Sequence, residues 1–167
     1  DLYIADGFRK RIEFPEQRRY IVGRIRDERR TEHGIEEALH GQAFVQDLRR
    51  EEGLSGHAFR GVKPKGDKYT RALAWANRAE EGKVVLVRGP WIEEFLDEVC
   101  HFPNGPHDDQ VDAVSLAVQM IESIDLAAGT YYIMIDTQLP PNCTPFTLTI
   151  SETVKGACCH AGGCTLE

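Results

Sequence analysis

The stretch His107-Asp108-Asp109-Gln110-Val111-Asp112-Ala113 runs without a break into Val114-Ser115-Leu116-Ala117-Val118-Gln119-Met120-Ile121, and sets three carboxylates and an imidazole at the mouth of an apolar helix. At 3.6 residues per turn, Asp108 and Asp112 stand four apart and Asp109 and Asp112 three apart, so either pair can converge on one hard cation. Projected at about 100° per residue, Asp108, Asp112, Ser115 and Gln119 fall in one narrow polar stripe. Val111, Val114, Val118 and Ile121 lie to one side of it, and Leu116 and Met120 to the other, close to the bearing of Asp109. A helix apolar around most of its circumference is expected to be buried. Acids in a first turn complement the helix dipole. Three acids and a histidine exceed what capping requires, and carboxylates at the mouth of a buried helix need paired cations or metal.

The bulk of the chain sets the frame for that helix. Its 167 residues suffice for one ordinary core, and 41% hydrophobic with 28% charged residues is the composition of a soluble globular protein. No apolar run approaches the roughly 20 residues that span a bilayer, and Asp1-Leu2-Tyr3-Ile4-Ala5-Asp6 has neither the basic start nor the apolar centre of a secretion signal. Secretion is not expected. The net charge of −7 is unevenly spread: residues 1–71 hold 16 Lys/Arg against 13 Asp/Glu, and residues 72–167 hold 4 against 14. A basic first part beside an acidic, cation-holding part suits the cutting of a polyanion.

Along the chain, strands and helices alternate. A strand is predicted from Leu2 to Ala5 and on toward Arg9, then a helix from Phe14-Pro15 carrying Tyr20, Ile21 and Ile25 among arginines. A short strand follows around Gly34-Ile35-Glu36, then a helix over Ala43 to Arg50 ended by Gly53. Ala58 to Val62 reads as a strand. Lys63-Pro64-Lys65-Gly66-Asp67-Lys68 reads as a basic loop that Asp67 caps into a helix from Tyr69 to about Glu80. Lys83 to Val87 is a strand, Trp91 to Val99 a helix, and the helix after His107 closes the series. This is an α/β pattern. Trp75 and Trp91 read as core residues. The character changes after Ser123: Tyr131 to Ile135 and Thr147 to Ile150 look like two strands around Pro140-Pro141-Asn142-Cys143-Thr144-Pro145. A boundary is expected near residue 124, dividing a domain over 1–123 from a β-hairpin and Cys-rich tail over 124–167. In the tail, Cys158-Cys159-His160 and Cys164 read as unligated or disulfide-linked thiols, since the vicinal pair cannot readily face one zinc ion and no partner CxxC is present.

Several motifs fall in one order: Ile35-Glu36-Glu37-Ala38-Leu39-His40-Gly41-Gln42-Ala43, Val62-Lys63-Pro64-Lys65-Gly66-Asp67-Lys68 with Arg71-Ala72, Trp91-Ile92-Glu93-Glu94-Phe95-Leu96, Phe102-Pro103-Asn104-Gly105, and the run from His107 to Ala113. Together, over about residues 2–122, they resemble the C-terminal nuclease domain of phage large terminase subunits. The resemblance implies a ribonuclease H-like mixed sheet flanked by helices, and a divalent-metal endonuclease that cuts concatemeric double-stranded viral DNA with two Mg²⁺ or Mn²⁺ ions. It implies as partners an ATPase motor domain, a small terminase subunit and a portal, with the host cytoplasm as location. Glu36 matches the family's strand glutamate, and Asp108 and Asp109 its paired aspartates. Asp112 matches a further acid, and which of the three binds metal stays open. His107 is a candidate to orient water or a carboxylate. Lys63, Lys65, Lys68 and Arg71 are candidate phosphate contacts beside a helix N-terminus.

The sequence departs from the family at its start. Family members open the domain with two further strands, the first bearing an aspartate in a Gly-Ile/Val-Asp context, and this sequence reads as starting inside the third. Neither Asp1 nor Asp6 stands in such a context. No Gly-x-x-x-x-Gly-Lys-Ser/Thr loop occurs in the sequence. The resemblance thus implies an N-terminally truncated domain, either an endonuclease or a catalytically incomplete DNA-binding and assembly fragment.

Overall fold

The structure, a computed structural model, describes residues 1–37, 41–123, 131–137, 144–150, 158–160 and 163–165, and after residue 123 it describes strand backbone alone. Two short strands open the chain where one was expected: β1 (Leu2–Ile4) and β2 (Asp6–Arg9). The break has a topological cause. β1 pairs in parallel with β5 (Val84–Leu86), whereas β2 pairs antiparallel with β7 (Thr144–Ile150), so the chain changes sheet at Ala5.

The larger sheet has five strands in the order β2-β7-β6-β3-β4. β3 (Glu32–Glu36) lies second from one edge, parallel on one side to the edge strand β4 (Phe59–Val62) and on the other to β6 (Tyr131–Thr137). With β6–β7 and β7–β2 antiparallel, this is a mixed sheet, and it draws strands from both sides of residue 124. A separate ladder joins β8 (Cys158–His160) to β9 (Gly163–Thr165), and the side chains of this Cys-rich segment lie outside the described residues.

Alternation along β3 and β4 sends side chains to two cores. Ile35 points to a core shared with α1 (Phe14–Asp27) and α2 (Gly41–Leu48), built on Ile21, Val22, Ile25, Phe44, Val45 and Leu48. Val62 points the other way, into a core shared with α3 (Lys68–Glu80), α4 (Ile92–His101) and α5 (Asp109–Ser123). Glu36 is the register partner of Val62, so its side chain leaves the sheet on the α5 side. Every residue from Gln110 to Val118 is buried, as the apolar circumference predicts. Trp75 and Trp91 are core residues too.

The turn after β3 depends on a missing side chain. A Cβ on Gly41 would run into the carbonyl oxygen of Glu36, so only glycine lets α2 begin across the end of this strand. Gly41→Ala is expected to lower the melting midpoint and loosen the Glu36 end of β3. Gly23→Ala, in mid-helix with nothing within 4 Å of the new methyl, is expected to stabilise by about 0.5–1 kcal/mol. Urea unfolding of the two variants measures the contrast.

β3 also carries a buried imidazole. His33, 1% exposed at its side chain, meets Glu28 at 3.2 Å and the Ala58 carbonyl at 3.3 Å. Burial lowers its pKa, with the Glu28 contact opposing. Below about pH 6.5 the unfolded chain therefore takes up this proton before the folded chain does, so stability is full above that pH and falls as the solution is acidified. Chemical denaturation between about pH 6.5 and 5 is expected to show that limb, and His33→Gln to flatten it.

Candidate metal and nucleic-acid site

The polar stripe of α5 does not face solvent; it is the seam against α3. Asp112, 4% exposed, receives Arg71 Nη2 at 2.6 Å and Lys68 Nζ at 2.7 Å. Arg71 Nη1 also donates to the Gly66 carbonyl at 2.8 Å, which ties the basic loop to its own helix. One turn along α5, Ser115 Oγ accepts from Trp75 Nε1 at 3.1 Å. One turn further, the Gln119 amide brackets the loop, accepting from the Lys65 backbone N–H at 2.9 Å and donating to the Lys63 carbonyl at 2.8 Å. Each polar group of the stripe thus meets a partner, as burial demands.

This seam divides the predicted site residues into groups. Asp108 shares Lys68 with Asp112, at 2.9 Å, and is the outer, half-exposed member. Lys68 is drawn two ways: burial lowers its pKa, but its bonds to Asp108 and Asp112 outweigh that and the net shift is upward. Asp109 opens α5 half-buried, off the stripe, and has a partner of its own. Glu36 is 9% exposed at the carboxyl end of β3 and is likewise partnered. His107 is exposed ahead of the helix. Lys63 and Lys65 are exposed at the end of β4. Asp67 caps α3, accepting from the Thr70 N–H at 2.9 Å and the Thr70 hydroxyl at 2.7 Å, and those bonds lower its pKa.

Among the described residues, no group of three or more His, Cys, Asp or Glu side chains converges to hold a metal ion. At Asp112 an arginine and a lysine supply positive charge. A cleft of about 300 Å³ opens between α3 and α5, lined by Lys65, Arg71, Ser115, Gln119 and Glu122 among others. Its mixed charge favours neither a bare anion nor a cation.

A family model described as the terminase RNaseH-like domain matches residues 3–121. The chain belongs to the terminase RNaseH-like domain family. No curated protein and no solved structure matches it. The match ends two residues short of the end of α5. Of the described residues of this terminase domain, no helix is long and apolar enough to cross a membrane.

One residue of the domain's site region escaped the sequence reading. Glu98, 5% exposed on α4, accepts from the backbone N–H groups of Gln110 at 2.5 Å and Val111 at 3.2 Å, and from Gln110 Nε2 at 2.9 Å. Burial raises its pKa, and the same bonds oppose that. Its signal in the sequence is an acid three residues after Phe95, on the apolar face of an otherwise amphipathic helix.

Removing Asp112 leaves Arg71, whose side chain is 8% exposed, without its charge partner. Asp112→Ala is expected to cost about 3–5 kcal/mol. Asp108→Ala, at a partly exposed pair, is expected to cost about 1 kcal/mol or less. Urea midpoints of the two variants give the ratio.

Proposed function

We propose that this terminase domain is a divalent-metal-dependent endonuclease acting on double-stranded DNA during viral genome packaging. The family match over residues 3–121 carries the reading. The donor chemistry agrees with it: Glu36, directed to the α5 side of the sheet, and Asp109, at the first turn of α5, are hard oxygen ligands of the kind that take Mg²⁺ or Mn²⁺. Asp112 fits a different role, as the buried partner of Arg71 that fixes α5 against α3. Asp108 stands at the rim, where release of Lys68 frees it to assist Asp109.

A bound divalent cation supplies charge neutralisation at the scissile phosphate. The chain's own residues do the rest. Lys63 and Lys65 present exposed ammonium groups to the DNA backbone, and the Gln119 bracket holds their loop in place. Lys68 reaches the phosphate from the acidic rim, and Arg71 acts from beneath by holding the loop at Gly66. His107 lies beside this rim and is open to solvent. The motor domain, small subunit and portal implied by the family are the proposed partners.

A second reading has its own support. Lys68 and Arg71 already pair with Asp108 and Asp112, so these two acids have charge partners without a cation, as suits a DNA-binding and assembly module. Supercoiled plasmid incubated with the chain separates the two. The nuclease reading expects nicking that requires Mn²⁺ or Mg²⁺ and is abolished in Asp109→Ala and Glu36→Gln. DNA binding without nicking, and without any metal-induced rise in the melting midpoint, selects the assembly module instead.

A further inference from the structure

We infer that Glu98, clamped by Arg9, is the positioning residue that sets Asp109 for its cation; the inference rests on the endonuclease reading above. A helix N-terminus leaves backbone N–H groups without intrahelical acceptors. In α5 two of them, Gln110 and Val111, donate to a single oxygen of Glu98, a residue that arrives from α4 and not from the helix's own flank. The other oxygen accepts from the Gln110 side chain at 2.9 Å and from Arg9 Nη1 at 3.1 Å. Arg9 stands at the end of β2 and also grips Glu94 at 2.7 Å, so it fixes the carboxylate from a strand as well. The Gln110 side chain reaches the Glu94 carbonyl at 3.5 Å, closing the set.

Asp109 is the residue immediately before these two N–H groups. Its Cα cannot shift without disturbing bonds that Glu98 holds from 3% side-chain exposure. The α3 seam reaches the flank of Asp109 only through the half-exposed Lys68–Asp108 pair, and on α5 itself its first contact is at Asp112, nearly one turn on. Two devices therefore fix α5: the seam sets how the helix packs, and Glu98 sets where its first residue stands. Groups that orient a metal-binding carboxylate through neighbouring bonds typically change metal affinity by about 10–100-fold when removed.

Mn²⁺ titration of the full chain, followed by electron paramagnetic resonance of the free ion, tests this with no need for turnover. Glu98→Ala is expected to weaken Mn²⁺ binding by about 10–100-fold while circular dichroism and cooperative unfolding show an intact fold. Glu98→Gln keeps an oxygen for both backbone N–H groups but sets its NH2 against the Gln110 and Arg9 donors, so it is expected to fall between the parent chain and the alanine variant. Parent affinity in folded Glu98→Ala overturns the role, as does a folded Glu98→Gln that binds as weakly as the alanine variant. If Glu98→Ala does not fold, Arg9→Met decides in its place: weaker Mn²⁺ binding supports the role and parent affinity overturns it. A parent chain that binds no Mn²⁺ overturns the endonuclease reading and this role together, whereas parent binding that the variants leave unchanged overturns the role alone.

Discussion

The contact of Asp112 with Arg71 and Lys68 is the constraint on which the rest of the structure depends. A helix buried from Gln110 to Val118 cannot leave a carboxylate in its first turn without compensation. The chain meets that need from α3, and the choice fixes where α3 lies. Once Arg71 is at Asp112, the 3.6-residue repeat brings Trp75 to Ser115 and Arg78 to Glu122. The partners climb both helices together, so the two run alongside each other in the same direction.

The same contact decides how the acidic cluster divides its work. A carboxylate that already holds a guanidinium in the interior is a poor donor to a second cation, because taking on the metal would strand Arg71. Under the proposed nuclease reading, Asp112 serves packing, and Asp108 and Asp109 at the edge of the helix and Glu36 on the sheet are left for the cation. Lys68 differs from Arg71 in this respect. Its side chain is 49% exposed, so water can solvate it if it leaves Asp108. A fixed arginine beneath and an exposed lysine above give one cluster a permanent part and an exchangeable part.

Much of this was legible in the sequence, and the parts that were not share a cause. The burial of α5, the strand bearing Glu36, the Asp67 cap and the core placement of both tryptophans follow from periodicity and local hydrogen bonding, which one segment carries by itself. The orientation of the polar stripe does not. Asp112, Ser115 and Gln119 read equally well as a face for water or a face for another helix, and only the positions of Arg71, Trp75 and Lys65 on a distant segment decide between them. The division of the first strand at Ala5 is of the same kind, since it depends on β5 and β7, far along the chain. Glu98 was hidden more thoroughly. Its place on the apolar face of α4 marks it as unusual, but two of its partners are backbone N–H groups, which carry no residue-type signal, and Arg9 lies far away in the sequence.

The strand that carries Glu36 illustrates how tightly the candidate residues are tied to the fold. β3 has a neighbour on each side, so both rows of its backbone groups are paired and it has no free edge along which to slip. A shift of one residue would also send Glu36 into the core of Ile21 and Leu48 and bring Ile35 out toward α5. Such an exchange buries a charge among aliphatic side chains, and burial without partners costs a carboxylate far more than any single apolar contact returns. The register of β3 is therefore set by the same principle that sets the seam. In each case a buried carboxylate has one tolerable place, and the surrounding elements are arranged to keep it there.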